Sequence, residues 1–293
     1  MRDAIAKKMS HITAIGRPID ITYRPNLMML IAVSLIGIVV FAFNYSAGID
    51  SAISSAIVAA IAAGASWVVA RELDPEHDYS AFVGMIPAVL LVEGGIDLWT
   101  IGAFIMLMRV LSRVVGPPAY IGDALMTMVV VGFAIFATGG WLMSVIGILV
   151  FVLDARLHNP APRHTIFAGG IALITLFYAL TQGINALALP GLETVFVLVL
   201  ITAGYMIQIR RSGKINITAD YGEKYPINQM RVKISMLISV LGVLAISLWG
   251  GADAIQQLIP IWTAIGGVVV YGLFRQLTHA QTVFKPLLSS LFS

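Results

Sequence analysis

Ten apolar stretches separated by short polar segments organise the chain, at 27–43, 51–70, 75–92, 97–111, 118–138, 141–157, 165–184, 192–209, 234–249 and 252–274. A hydrocarbon core about 30 Å thick is crossed by about 20 apolar residues in helical form. The pattern therefore predicts an all-α fold, a polytopic bundle of about ten transmembrane helices. The third and fourth stretches are short in their uncharged part, which leaves a re-entrant pair as the alternative there. The second stretch, with Ser54, Ser55, Gly64, Ser66 and many alanines, reads as a small-residue helix packed closely against its neighbours. Gly94-Gly95, Gly139-Gly140 and Gly250-Gly251 predict tight reversals between consecutive helices.

Charge placement supports the count. Successive helix ends alternate between two sides, and all 18 Lys and Arg fall on one of them, with ten of the 15 acids. The other side holds Asp50, Glu93, Asp97, Glu193 and Asp253 and no base. Cationic residues accumulate in cytoplasmic loops, so both termini are expected in the cytoplasm and the membrane is expected to be the plasma membrane. The domain reading is a cytoplasmic amphipathic segment at 1–25, a transmembrane domain at 26–276 with a cytoplasmic loop at 210–233, and an interfacial tail at 277–293. In the first segment Ile5, Met9 and Ile12 share a face, with Lys7 and Lys8 near the other. Residues 97–113 and 193–211 share a layout of outer acid, apolar helix and paired arginines, which suggests a parallel duplication of four-helix units.

Composition narrows the classes. With 59% hydrophobic and 11% charged residues and a mean hydropathy of +0.92, an ordinary soluble domain is excluded. The absence of cysteine removes disulfide scaffolds, thiolate zinc sites and cysteine nucleophiles. No phosphate-binding glycine loop, nucleophile elbow, His-Glu-x-x-His or nucleic-acid motif occurs.

Candidate chemistry lies at the basic helix ends. In 71–78, Asp74 and Asp78 are spaced i, i+4, so a helix would bring their carboxylates to one face as a possible Mg²⁺ site. Helix capping explains the same residues without a ligand: Asp74 as N-cap, Pro75 as first helical residue, and Arg71 closing the preceding helix. Asp123, Asp154 and Arg109 are harder to leave in a bilayer unpaired. Asp123 reads as more than one turn inside the fifth helix, and Asp154 sits at a C-terminal helix end where the dipole disfavours an acid. Arg109 lies one turn before Arg113 on the same face. The economical pairing is Arg109 with Asp123, and Asp154 with Arg156 or His158. Histidine as a residue type changes charge near neutrality, which makes His77, His158 and His164 candidate proton carriers.

The acid-bearing loops after the second and sixth stretches are similar to those of the UbiA-type membrane prenyltransferases, and Asp74-x-x-x-Asp78 matches part of their first acidic motif. Ala70-Arg71 stand where that motif opens with Asn-Asp, His158 stands where the second motif wants a carboxylate, and ten crossings exceed the family's number by one. The likeness covers these few residues.

The leading functional expectation is a transferase-like enzyme at the cytoplasmic face, acting on a phosphorylated lipid or isoprenoid. In it Asp74 and Asp78 hold Mg²⁺, Arg71, Arg109, Arg113 and Arg156 bind phosphate, and Asp123, Asp154 and His158 are the catalytic candidates. A small-solute or lipid transporter and a non-catalytic scaffold subunit are the alternatives. A carrier is expected to show a polar cavity reaching the region of Tyr178 to Asn185. No nucleic-acid partner is expected, and the sequence leaves the oligomeric state open.

Overall fold

The computed structural model describes residues 12–16, 19–212 and 227–291, with side chains as far as 278. Most of the N-terminal amphipathic segment, the centre of the 210–233 loop and the side chains of the tail lie outside the described residues. Eleven α-helices make up the described chain, which contains no strand. They are α1 (Arg24–Asn44), α2 (Ile49–Leu73), α3 (Ser80–Val83), α4 (Met85–Leu91), α5 (Leu98–Ser112), α6 (Ile121–Thr138), α7 (Trp141–Asp154), α8 (His164–Gln182), α9 (Leu192–Arg211), α10 (Gln229–Gln257) and α11 (Ile259–Leu291).

Six of these, α1 extended to Ala47, α2, α6, α8, α9 and α10, are long and apolar enough to cross a membrane. This all-helical build, with several such helices, suggests a membrane-embedded protein. Segment Ser80–Leu91, α5 and α7 are apolar but shorter. At about 1.5 Å per residue, the 15 residues of α5 and the 14 of α7 reach about 22 and 21 Å.

The short α5 is the centre of the bundle. Ala103, Phe104, Leu107, Val110 and Leu111 are wholly buried on it. Helix α10 meets it with small hydroxyls: Ser235 Oγ lies 3.3 Å from the Met108 sulfur, and Ser239 donates to the Ser235 carbonyl at 2.7 Å. Helix α2 buries Ala59, Ala62, Ala63, Ser66 and Ala70, the close packing its composition implies. Helix α1 has little buried surface and presents apolar side chains nearly all round. Where α3 meets α4, Gly84 touches Gly267 of α11 backbone to backbone; a Cβ on Gly267 would stand 2.6 Å from the Gly84 nitrogen.

Two boundaries differ from the sequence pattern. Residues 74–79 form turns, and the next helix starts at Ser80 instead of Pro75. Asp74 is the C-cap of α2, its N–H donating to the Ala70 carbonyl at 2.8 Å. At the other boundary, Gly251, with φ 68° and ψ −151°, interrupts α10 and divides it into two helical pieces that meet at a kink. The second piece, 252–257, ends at Leu258, its C-cap. The last helix therefore begins at Ile259, not Ala252, and continues through Leu291.

Candidate functional site

Asp154 is the hub of the basic end. Arg113 Nε donates to its Oδ1 at 2.9 Å and Arg231 Nη1 to the same oxygen at 2.6 Å, while Oδ2 lies 2.6 Å from His164 Nδ1. Asp154 and His164 are wholly buried, and Arg231 is 2% exposed, so these charges answer to each other and not to solvent. Surplus donors go to carbonyls: Arg231 Nε to His158 at 2.8 Å, Arg113 Nη1 to Asn159 at 2.7 Å, and His164 Nε2 lies 3.2 Å from the Ala119 carbonyl. Four helix ends converge here, those of α5, α7, α8 and α10.

Local backbone explains the convergence. Arg113 leaves α5 in the left-handed region at φ 53°, a conformation that costs a non-glycine residue roughly 1–2 kcal/mol. That twist carries its side chain away from the face used by Arg109. Burial pushes the Arg113 guanidinium below its ordinary range, against the pull of Asp154, with ample margin to stay charged. Asn159, also left-handed at φ 56°, turns a carbonyl toward both arginines. Arg231 follows the N-cap Asn228, whose side chain accepts from the Arg231 N–H at 3.1 Å.

The pairings differ from the economical ones. Arg109 binds Glu72 of α2, with Nε 2.8 Å from Oε1, and donates to the Ile15 carbonyl at 3.1 Å. Asp123 is not deep in its helix: α6 starts at Ile121, and the carboxylate accepts from the Tyr120 N–H at 3.0 Å as part of the helix cap. It also accepts from Thr13 Oγ1 at 2.6 Å and the Ala14 N–H at 2.7 Å, seating residues 13–15 against the bundle. Arg156 and His158 are exposed, and Asp154 takes neither as partner.

Asp74 and Asp78 share no helix face. Asp78 takes the Arg71 guanidinium and the Tyr23 hydroxyl. Asp74 lies 2.8 Å from His77 Nδ1, and the other ring nitrogen of His77 meets Arg275. Among the described residues no group of three or more His, Cys, Asp or Glu is arranged to hold a metal. Burial, with the Asp78 hydrogen bond second, raises the Tyr23 phenol above its ordinary range.

The opposite, acidic end is open. A cavity of about 320 Å³ is walled by Asp97, Thr138, Trp141, Asn185, Trp249 and Asp253, and descends to Thr100 and Ile246. A wider one of about 690 Å³ adjoins it, sharing Asp97, Thr138, Asp253 and Gln257 and adding Glu93 and Gln256. Helix breaks frame both: 92–97 before α5, Gly139-Gly140 between α6 and α7, and the Gly251 kink. The 183–191 segment closes one wall through the Ala188 N–H to the Trp249 carbonyl at 2.8 Å and Trp249 Nε1 to the Asn185 carbonyl at 3.0 Å.

Comparison with known protein families, with curated proteins and with solved structures finds no match. The geometry alone bears on function. Of the residues singled out in the sequence, Arg113 and Asp154 meet directly, and Arg71 meets Asp78. Arg231 and Glu72 are not among them. A signal for Arg231 existed: a cation in the first turn of a helix opposes the dipole, as Asp154 does in the last turn of α7. Two charges misplaced in opposite senses complement each other.

Proposed function

We propose that the chain is a ten-segment carrier of the plasma membrane that takes a small solute from its acidic, exterior end, with the basic end and both termini in the cytoplasm. One observation carries this reading: the cavity reaching Asn185 opens at the acidic end, while the cations and carboxylates of the other end are locked to one another. Carriers bind substrate where helices are interrupted, and irregular backbone at membrane depth is tolerated where it lines a cavity. The broken 92–97, 139–140 and 250–258 segments fit that rule. Arg113–Asp154–Arg231–His164 acts as the closed cytoplasmic gate, with Arg109–Glu72 beside it. Phosphate-transfer chemistry at the basic end is the less economical reading, because a phosphate would have to displace Asp154 from two buried arginines and compete with Asp78 for Arg71.

The natural absence of cysteine makes the test direct. A cysteine at Ala254, on the cavity, should react with an impermeant thiol reagent added outside. One at Val114, buried behind the gate, should not react from the cytoplasmic side. Arg231→Lys, which keeps the charge but loses the fork, should lower Ala254 labelling and raise Val114 labelling together, as alternating access requires. Labelling at both sites that is indifferent to the gate variant defeats the carrier reading.

A further inference from the structure

We infer that the acidic-end cavity is a binding site for a small organic cation, an ammonium. The inference rests on the carrier reading only for the side from which the ligand comes.

Three carboxylates surround the two joined cavities, Glu93, Asp97 and Asp253, and no Lys, Arg or His lines either. Asp97 is the buried one, 9% exposed. Its Oδ1 accepts from the Trp99 and Thr100 N–H groups, each at 3.0 Å, as the cap of α5. No described donor reaches its Oδ2, and Asp97 lines both cavities, neither of which has a cationic side chain in its wall. Glu93 and Asp253 stand exposed at the rim, where they raise the local concentration of positive ligands.

The aromatic wall supplies the other half of the recognition. Trp141 and Trp249 meet edge to face with ring centroids 5.2 Å apart, and both line the inner cavity. Indole faces attract quaternary or primary ammonium groups, more strongly where water is excluded. At about 320 Å³ the cavity lies at the small end of the range for small-molecule sites. A metal ion is a poorer fit, because it would have no use for the paired indoles.

The test uses the purified full chain in detergent micelles, where binding is read without transport. Choline, ethanolamine and tetramethylammonium are titrated against tryptophan fluorescence, with 3,3-dimethylbutan-1-ol as the uncharged isostere of choline. At least one cation should bind saturably, and the neutral alcohol should bind at least tenfold more weakly than choline if choline binds. Asp97→Asn keeps the helix cap, since Asn caps as well as Asp, and should weaken binding about tenfold with unchanged thermal stability. Asp253→Asn, at an exposed position, should weaken it less and reduce the salt dependence. Wild-type protein that binds none of the three cations overturns the inference, as does binding of choline and its neutral isostere with equal strength, or binding unaffected by both variants. Cation binding without the reciprocal cysteine labelling would sink the carrier reading and leave this site standing. Reciprocal labelling without cation binding would do the reverse.

Discussion

A single carboxylate, Asp154, holds two guanidiniums and an imidazole away from water. Removing one partner of a buried ion group leaves the others uncompensated, which costs about 3–5 kcal/mol. Asp154→Asn should therefore lower the thermal midpoint sharply. Arg156→Ala, two residues along but exposed, should change stability by no more than about 0.5 kcal/mol. Thermal scanning of the two variants side by side checks the contrast, and a cost that is equal in both would refute the hub. Tyr23 offers a pH readout at the same end. Its phenol titrates above the usual range, so the neutral form is the one the fold favours. The associated stability is fully present below about pH 10, the unfolded tyrosine value, and is lost as pH climbs through the raised folded value. Asp78→Asn removes an acceptor and a negative charge, so phenolate formation by ultraviolet difference titration against Tyr23→Phe should move to lower pH. No movement would mean that Asp78 does not hold the hydroxyl.

Helices were legible where hydrophobic length alone decides them. The stretches at 27–43, 141–157 and 192–209 became α1, α7 and α9 within a few residues. The pattern failed where a local signal has two readings. Asp74-Pro75 fits a helix start, yet Asp74 ends α2, because Asp74 and Asp78 each find a partner outside a helix. Gly250-Gly251 does mark a break, with Gly251 at φ 68° and the Ala188 carbonyl oxygen 2.3 Å from where its Cβ would stand, but the pattern does not show the second break at Leu258. Pair identity was the least legible feature: Arg109 and Asp123 lie on adjacent helices, but their partners Glu72 and Thr13 are brought in by tertiary packing that spacing cannot foretell. The α3–α4 crossing with α11 yields a sharp element-level prediction. A Cβ at Gly84 would stand 2.6 Å from the Thr263 carbonyl oxygen and 2.8 Å from Ser66 Oγ. Gly84→Ala should thus destabilise by about 1–3 kcal/mol through overpacking. Gly266→Ala, beside the crossing but with nothing within 4 Å, should be neutral or stabilising by up to about 1 kcal/mol. Denaturation of the two variants in the same detergent distinguishes them; loss of stability in neither means that the helices do not cross there.

Across the whole molecule, charge is sorted by end. Acids begin α2, α5 and α9, and arginines close all three. Each helix dipole is thereby complemented at both termini. Helices α5 and α7 are about 22 and 21 Å long, shorter than the helices long enough to cross a membrane. In a bilayer, the dry layer along α5 and α7 would be thinner than the layer around the longer helices, and voltage falls mainly across such a layer. A membrane potential would then be concentrated on the path joining the two ends, where moving one elementary charge through 100 mV involves about 2.3 kcal/mol of electrical work.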